Sequence, residues 1–214
     1  ALETLKDFYQ YDNSKFYELL NERGFYVAEK SAANHSYTYL SLSSTLNMMY
    51  MNWLGINNSE RQVKSKEIGD TIADNKVAKL LKLNGYQYIT FDSGYSTSSR
   101  SSISDLHVSC AKFSEFDRTL IKTTILDPFF LYGGVRDMIM CQFESLKDTF
   151  SSDSKFIFSH IIAPHPPFVF NSRGGKVGMN PGLNPWADKK AYVEQLQYVN
   201  NKIIEVIDSI KAKN

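Results

Sequence analysis

Residues 155–168 read KFIFSHIIAPHPPF, and this stretch decides the fold class. Residues 155–163 are apolar at successive as well as alternate positions, the pattern of a central parallel strand covered on both faces. His160 is the polar interruption and is expected to be buried and hydrogen-bonded. Pro164-His165-Pro166-Pro167 cannot continue as a helix, so the chain must leave the sheet as a stiff loop. A doubly wound parallel sheet binds ligands at the carboxyl ends of its strands. His165 stands just past such an end.

The flanking sequence supports the same grammar. Asp12, Asn13 and Ser14 offer cap oxygens for a helix over 14–23, Gly24 suits its C′ position, and 25–28 read as a short buried strand. A helix over 73–83, closed by Asn84-Gly85, precedes a strand over 86–91. Helix–Gly–strand therefore occurs twice, which predicts an α/β fold with a mostly parallel sheet. The Ser-rich residues 93–105 read as a surface loop. Residues 106–150 read as helical, broken at Asp127-Pro128 and Gly133-Gly134. A Gly/Asn/Pro-rich loop over 171–185 leads to a long helix over 188–212. Its face is traced by Tyr192, Leu196, Val199, Ile203, Val206, Ile207 and Ile210. No repeat or long linker divides the chain, so 1–214 reads as a single domain.

With 43% hydrophobic and 22% charged residues the chain can build a core, and intrinsic disorder is excluded. A net charge of +1 leaves no global nucleic-acid footprint. No apolar run reaches the ~20 residues that span a bilayer. Cys110 and Cys141 lack zinc-site spacing; a disulfide and two buried thiols are both open readings. Nucleotide, zinc-protease and α/β-hydrolase motifs are missing.

Two places could carry chemistry. His165, held between prolines, has a ring direction set by the backbone, and its imidazole can donate to an oxyanion or move a proton. A His packed in the turn against a carbonyl is the competing reading. Asn34-His35-Ser36-Tyr37-Thr38 lies where a polar loop enters a helix beginning near Tyr39. A hydroxyl there can act as a nucleophile beside the helix N-terminus. The competing reading makes these hydroxyls caps.

The segment YDNSKFYELLNERGFYVAEKSAANHSYTYLSLSSTLNM (11–48) resembles the nucleophile-bearing stretch of sulfatase-like proteins of the alkaline phosphatase superfamily. NGYQYITF (84–91) is similar to the Gly-Tyr strand of that family. HIIAPHPPFVF (160–170) resembles its strand and Pro-His-x-Pro-Phe loop, and YVEQLQYVNNKIIEVIDSI (192–210) the helix before its Asp-His-Gly metal motif. The shared order of these segments carries the resemblance. It implies a three-layer αβα domain, truncated at both ends, because the early metal-binding Asp and the late Asp-His-Gly both lack counterparts here.

The resemblance further implies a metal-dependent hydrolase or transferase acting on phosphate or sulfate esters of cell-surface glycans or lipids. Ser36 or Thr38 would be the nucleophile. Asn34, His35 and His165 would bind the transferred group, with the last facing the same anion pocket as the turn near residue 36. A formylglycine sulfatase is not implied, because Cys-x-Pro-x-Arg is missing. A divalent cation (Zn, Mn, Mg or Ca) is expected in a full-length parent and none in this piece, which should itself be inactive. The parent would be membrane-anchored with this domain extracytoplasmic. Exposed sheet edges would allow self-association. The alternative is a non-catalytic glycan-binding or scaffold domain.

Overall fold

The computed structural model describes residues 2–28, 30–51, 61–95, 97–99, 101–110, 117, 120–121, 123–124, 127–149, 153–177 and 184–213. At residues 2, 61–66 and 127–133 it describes the backbone alone. The chain divides into two compact units. One comprises Ala1–Ser31, Ala111–Thr149 and Ile162–Asn214; the other Ala32–Cys110 and Phe150–Ile161. Cys110 and Cys141 are both disulfide-bonded. No described helix is long and apolar enough to cross a membrane.

The first unit is helical. It holds α1 (Leu2–Tyr9), α2 (Ser14–Glu22), α6 (Asp127–Asp148), a 3-10 turn (Pro185–Ala187) and α7 (Lys189–Lys213). The helices α1, α2 and α6 all pack on α7. The Asp12 carboxylate accepts from the Ser14 backbone N–H at 2.9 Å and starts α2. Beyond its end, Phe25 N–H reaches back to Leu20 O and Gly24 N–H to Asn21 O, which closes the helix. The expected strand over 25–28 does not form. Phe25 is 48% and Tyr26 92% exposed, and neither pairs with a strand among the described residues. A short apolar run needs a ladder partner, and the described sheet lies wholly in the other unit.

The helix α6 also departs from expectation. Asp127-Pro128 opens it, since proline is tolerated in a first turn, and it runs unbroken through Gly133-Gly134. Two glycines cost about 1 kcal/mol each in a helix interior. Burial of Met138, Ile139 and Phe143 on one face outweighs that cost. Along α7 the buried positions include Val199 and Val206, but also the polar Gln195 and Asn200.

The second unit holds α3 (Thr38–Asn47), α4 (Arg61–Ala73), α5 (Lys76–Leu83) and the strands β1 (Gln87–Phe91), β2 (Leu106–Val108) and β3 (Lys155–Phe158). The strands form one parallel sheet in the order β2-β1-β3. The α/β character and parallel pairing thus agree with the sequence reading. The positions within the sheet do not. The central strand is β1, buried at four of its five residues, whereas β3 is a half-buried edge. A strand, β2, lies inside the segment read as helical. Asp105 fixes its start: the carboxylate accepts from Tyr88 N–H at 2.8 Å and from Lys82 Nζ at 2.7 Å.

The helix expected over 73–83 is α5, which begins at Lys76, and α4, which the sequence reading did not foresee, ends just before it at Ala73. The fully buried Asn75 accepts from Ala78 N–H at 2.8 Å and donates to Ile72 O at 2.9 Å. It begins α5 and ends α4 with one amide. The helix α3 packs on both. Asn47 donates to Thr71 O and accepts from Lys76 N–H, while Leu40, Met51 and Ile68 form a core beneath. At the far end of α5, Gly85 takes φ +83° so that Tyr86 N–H can return to Leu81 O.

Candidate functional site

The turn before α3 presents two hydroxyls to solvent. Thr38 is the first residue of the helix and Tyr37 its N-cap, with extended backbone and no side-chain cap bond. Ser36 and Thr38 are both exposed, while Ser43 and Ser44 are buried inside the helix packing. The turn is held from both sides. Asn34 Nδ2 donates to Ser44 Oγ at 3.0 Å, and His35 Nε2 accepts from Met51 N–H at 3.2 Å. Stacked rings of Tyr37 and Tyr39, 5.7 Å apart, flank Thr38. In this arrangement Asn34 and His35 shape the turn. Ser36 and Thr38 stay open to a reactant beside the free N–H groups of the first helical turn.

His165 belongs to the first unit and Ser36–Thr38 to the second. The loop around His165 contains cis peptide bonds at Ala163-Pro164 and Pro166-Pro167. It is anchored by the buried Phe168, Val169 and Phe170. The fully buried Gln195 clamps it: Oε1 accepts from Val169 N–H at 2.7 Å and Phe170 N–H at 3.3 Å, and Nε2 donates to His165 O at 3.3 Å. Arg136 reinforces the exit. Its guanidinium donates to Val169 O and Gly174 O and lies 4.5 Å from the Phe170 ring centroid. The His165 ring is exposed, with Nδ1 2.6 Å from Pro166 O. Because a carbonyl only accepts, Nδ1 carries a proton, and Nε2 is the second nitrogen of a ring steadied edge-on by Trp186 at 4.8 Å.

A further group of polar side chains gathers at the carboxyl end of the sheet, within the second unit. Asp92 and Ser93 follow β1, and His160 follows β3. Thr90 Oγ1, His107 and Asp92 form a chain, with Thr90 to His107 Nδ1 at 3.0 Å and His107 Nε2 to Asp92 at 3.1 Å. Ser98 Oγ lies 2.7 Å from His160 Nδ1 and 2.9 Å from Ser93 Oγ. Burial pushes His160 below its ordinary value, so it is neutral at physiological pH and shares a hydrogen bond with the Ser98 hydroxyl through Nδ1. His160 is hydrogen-bonded as the sequence suggests, but it is half-buried and lies beyond the strand, which ends at Phe158. The His107–Asp92 pair was not foreseen. A three-residue strand carries almost no periodic signal, so the helical reading of that segment hid it. The Ser-rich loop turns inward to coordinate His160 instead of coating the surface.

Among the described residues no three His, Cys, Asp or Glu side chains converge to hold a metal ion. Compared with known proteins, the chain matches no family model, no curated protein and no solved structure.

Proposed function

We propose that the chain is part of a sulfatase-like protein of the alkaline phosphatase superfamily, built as a three-layer αβα domain, that cleaves or transfers a phosphate or sulfate ester of a cell-surface glycan or lipid. The observation that carries this reading is the exposed Thr38 hydroxyl on the first residue of α3, in a turn pinned by the Asn34–Ser44 and His35–Met51 bonds. A nucleophile is most effective when its approach is fixed before the substrate arrives. Ser36 is the second candidate. The helix position favours Thr38, because the unpaired N–H groups of the first turn can receive the oxyanion of the group it attacks.

In the reaction, the hydroxyl oxygen attacks phosphorus or sulfur, the bond to the leaving alcohol breaks, and the hydroxyl proton passes to a base or to solvent. Water or an acceptor alcohol then takes the group from the side chain and restores the hydroxyl. His165, with Nδ1 committed to Pro166 O, keeps Nε2 as the ring nitrogen that can meet an anionic ligand.

The described residues do not fit a metal site, so no step is assigned to one. A divalent cation (Zn, Mn, Mg or Ca) would be held by carboxylates from outside these 214 residues and would supply charge neutralisation. The bonded state of both cysteines supports an extracytoplasmic location, in a membrane-anchored parent. The edges of β2 and β3 are candidates for self-association.

The test is an aryl phosphate and aryl sulfate assay of the full-length natural protein with each cation, alongside Thr38→Ala, Ser36→Ala and His165→Ala. Thr38→Ala should abolish turnover and His165→Ala reduce it by roughly 10²–10³-fold. Full turnover in the double variant lacking both hydroxyls would remove the proposal. Turnover by residues 1–214 alone would overturn the assignment of the metal ligands elsewhere.

A further inference from the structure

The first unit contains a pocket of about 270 Å³ between α2 and α7, far in sequence from the Thr38 turn. Its floor includes an unusual pair of amides. Asn13 and Asn200 are 4% and 7% exposed, and Asn200 Nδ2 donates to Asn13 Oδ1 at 2.7 Å. That bond uses the oxygen of one amide and the nitrogen of the other. It leaves Asn13 Nδ2 as a donor and Asn200 Oδ1 as an acceptor, with no hydrogen-bond partner among the described residues, on side chains that line the pocket. Flipping both amides exchanges the labels but still leaves one donor beside one acceptor.

Neither Asn13 Nδ2 nor Asn200 Oδ1 is among the buried side-chain atoms that lack a partner, so both are open to solvent at the pocket. A ligand entering the pocket can meet the donor and the acceptor together. A donor and an acceptor side by side match two neighbouring hydroxyls, since each hydroxyl can both give and take a hydrogen bond. The rest of the wall fits the same chemistry. Tyr11 and Phe16 supply aromatic surface for the apolar C–H face of a ring, and Asn201 adds a third amide. Lys15 is exposed at the rim and forms no ion pair among the described residues. The volume lies just below the ~300–1,000 Å³ of drug-sized ligand sites, which suits a single ring.

From the donor and acceptor that the Asn13–Asn200 pair presents to the pocket, the flanking rings and the unpaired Lys15, we infer that this pocket binds one sugar ring of a glycan carrying an anionic substituent. The inference stands apart from the proposed ester chemistry, because it rests on residues that chemistry does not use.

The test is a titration of the ¹⁵N-labelled 214-residue chain with glucose, glucuronate and glucose 6-phosphate, with inorganic phosphate as the control. Side-chain amide signals of Asn13, Asn200 and Asn201 are followed, with dissociation constants up to about 10 mM readable. All three sugars should shift those signals, and the anionic two should bind roughly 2- to 5-fold more tightly. Lys15→Ala should erase that difference while glucose binding persists. Asn201→Ala, an exposed position that spares the buried pair, should weaken all three sugars. Circular dichroism checks that both variants are folded. Absence of any shift with the sugars overturns the inference. So does an equal response to inorganic phosphate alone, which would make the pocket an anion site.

Discussion

Replacing Gln195 with Ala should loosen the proline loop, and the structure sets the size of the effect. The side chain is fully buried and accepts two backbone N–H groups, from Val169 at 2.7 Å and Phe170 at 3.3 Å. Both of those residues are themselves buried, so the alanine variant strands two donors away from water. Each stranded group costs about 1–3 kcal/mol, the longer bond at the low end. The third bond, to the carbonyl of the exposed His165, contributes little because water can replace it. A water entering the vacated space recovers part of the loss. The expected destabilisation is therefore about 2–4 kcal/mol, a large share of a typical total of about 5–15 kcal/mol. Urea unfolding followed by far-ultraviolet circular dichroism measures it, as a shift in midpoint at constant slope. Gln195→Glu provides the control. Protonated, Glu keeps both the acceptor and a donor; ionised, it sets a carboxylate against the His165 carbonyl. Burial raises its folded value above the ~4.3 of an unfolded Glu, so its stability is present at low pH and lost as pH rises through the folded value. Compared with the natural chain at each pH, the Glu variant should be near parity around pH 4 and resemble Ala near pH 8. A loss below about 1 kcal/mol in Gln195→Ala would refute the clamp. So would a Glu variant as weak as Ala at both pH values.

Two further outcomes follow from local geometry. Gly174 takes φ +81°, and a Cβ there would lie 2.6 Å from Cε2 of Tyr198, whose ring is stacked on Phe170 at 4.3 Å and cannot yield. Gly174→Ala should cost about 2–4 kcal/mol, strain and overpacking together, against about 1 kcal/mol for Gly85→Ala, which has the same backbone but open space. Equal drops in melting temperature would show that the ring contact is immaterial. His160, depressed by burial, should make stability greatest above its ordinary value of 6.5 and lower as pH falls below it, because the unfolded chain protonates first. The slope is at most about 1.4 kcal/mol per pH unit, and His160→Gln should flatten it. An unchanged slope in that variant would remove the burial argument.

The helices α2 and α7 were legible because their signals are local. Ser14–Glu22 and Lys189–Lys213 lie within a residue or two of the boundaries their caps and periodicity suggest. Strand identity was less so. Phe25–Ala28 and Lys155–Phe158 are both apolar, yet only the second finds a ladder, and there as an edge. Pairing partners far along the chain decide this, and no window of sequence contains them. Leu106–Val108 was hidden because three residues carry almost no periodic signal. At the candidate site, the exposure of Ser36 and Thr38 followed from a polar turn opening a helix. The clamp by Gln195 did not, since a glutamine among apolar spacings of α7 reads as a surface residue until its partners at 165, 169 and 170 are known.

The amide of Asn75 has a consequence for how the second unit breathes. One planar group stops α4 at Ile72 O and starts α5 at Ala78 N–H, and it also reaches the Tyr88 hydroxyl at 3.3 Å. Neither helix can fray at this junction without releasing the other. The protons on the nitrogens of that elbow should therefore trade with deuterium through one shared opening event, at a common free energy, although they belong to two separate rods.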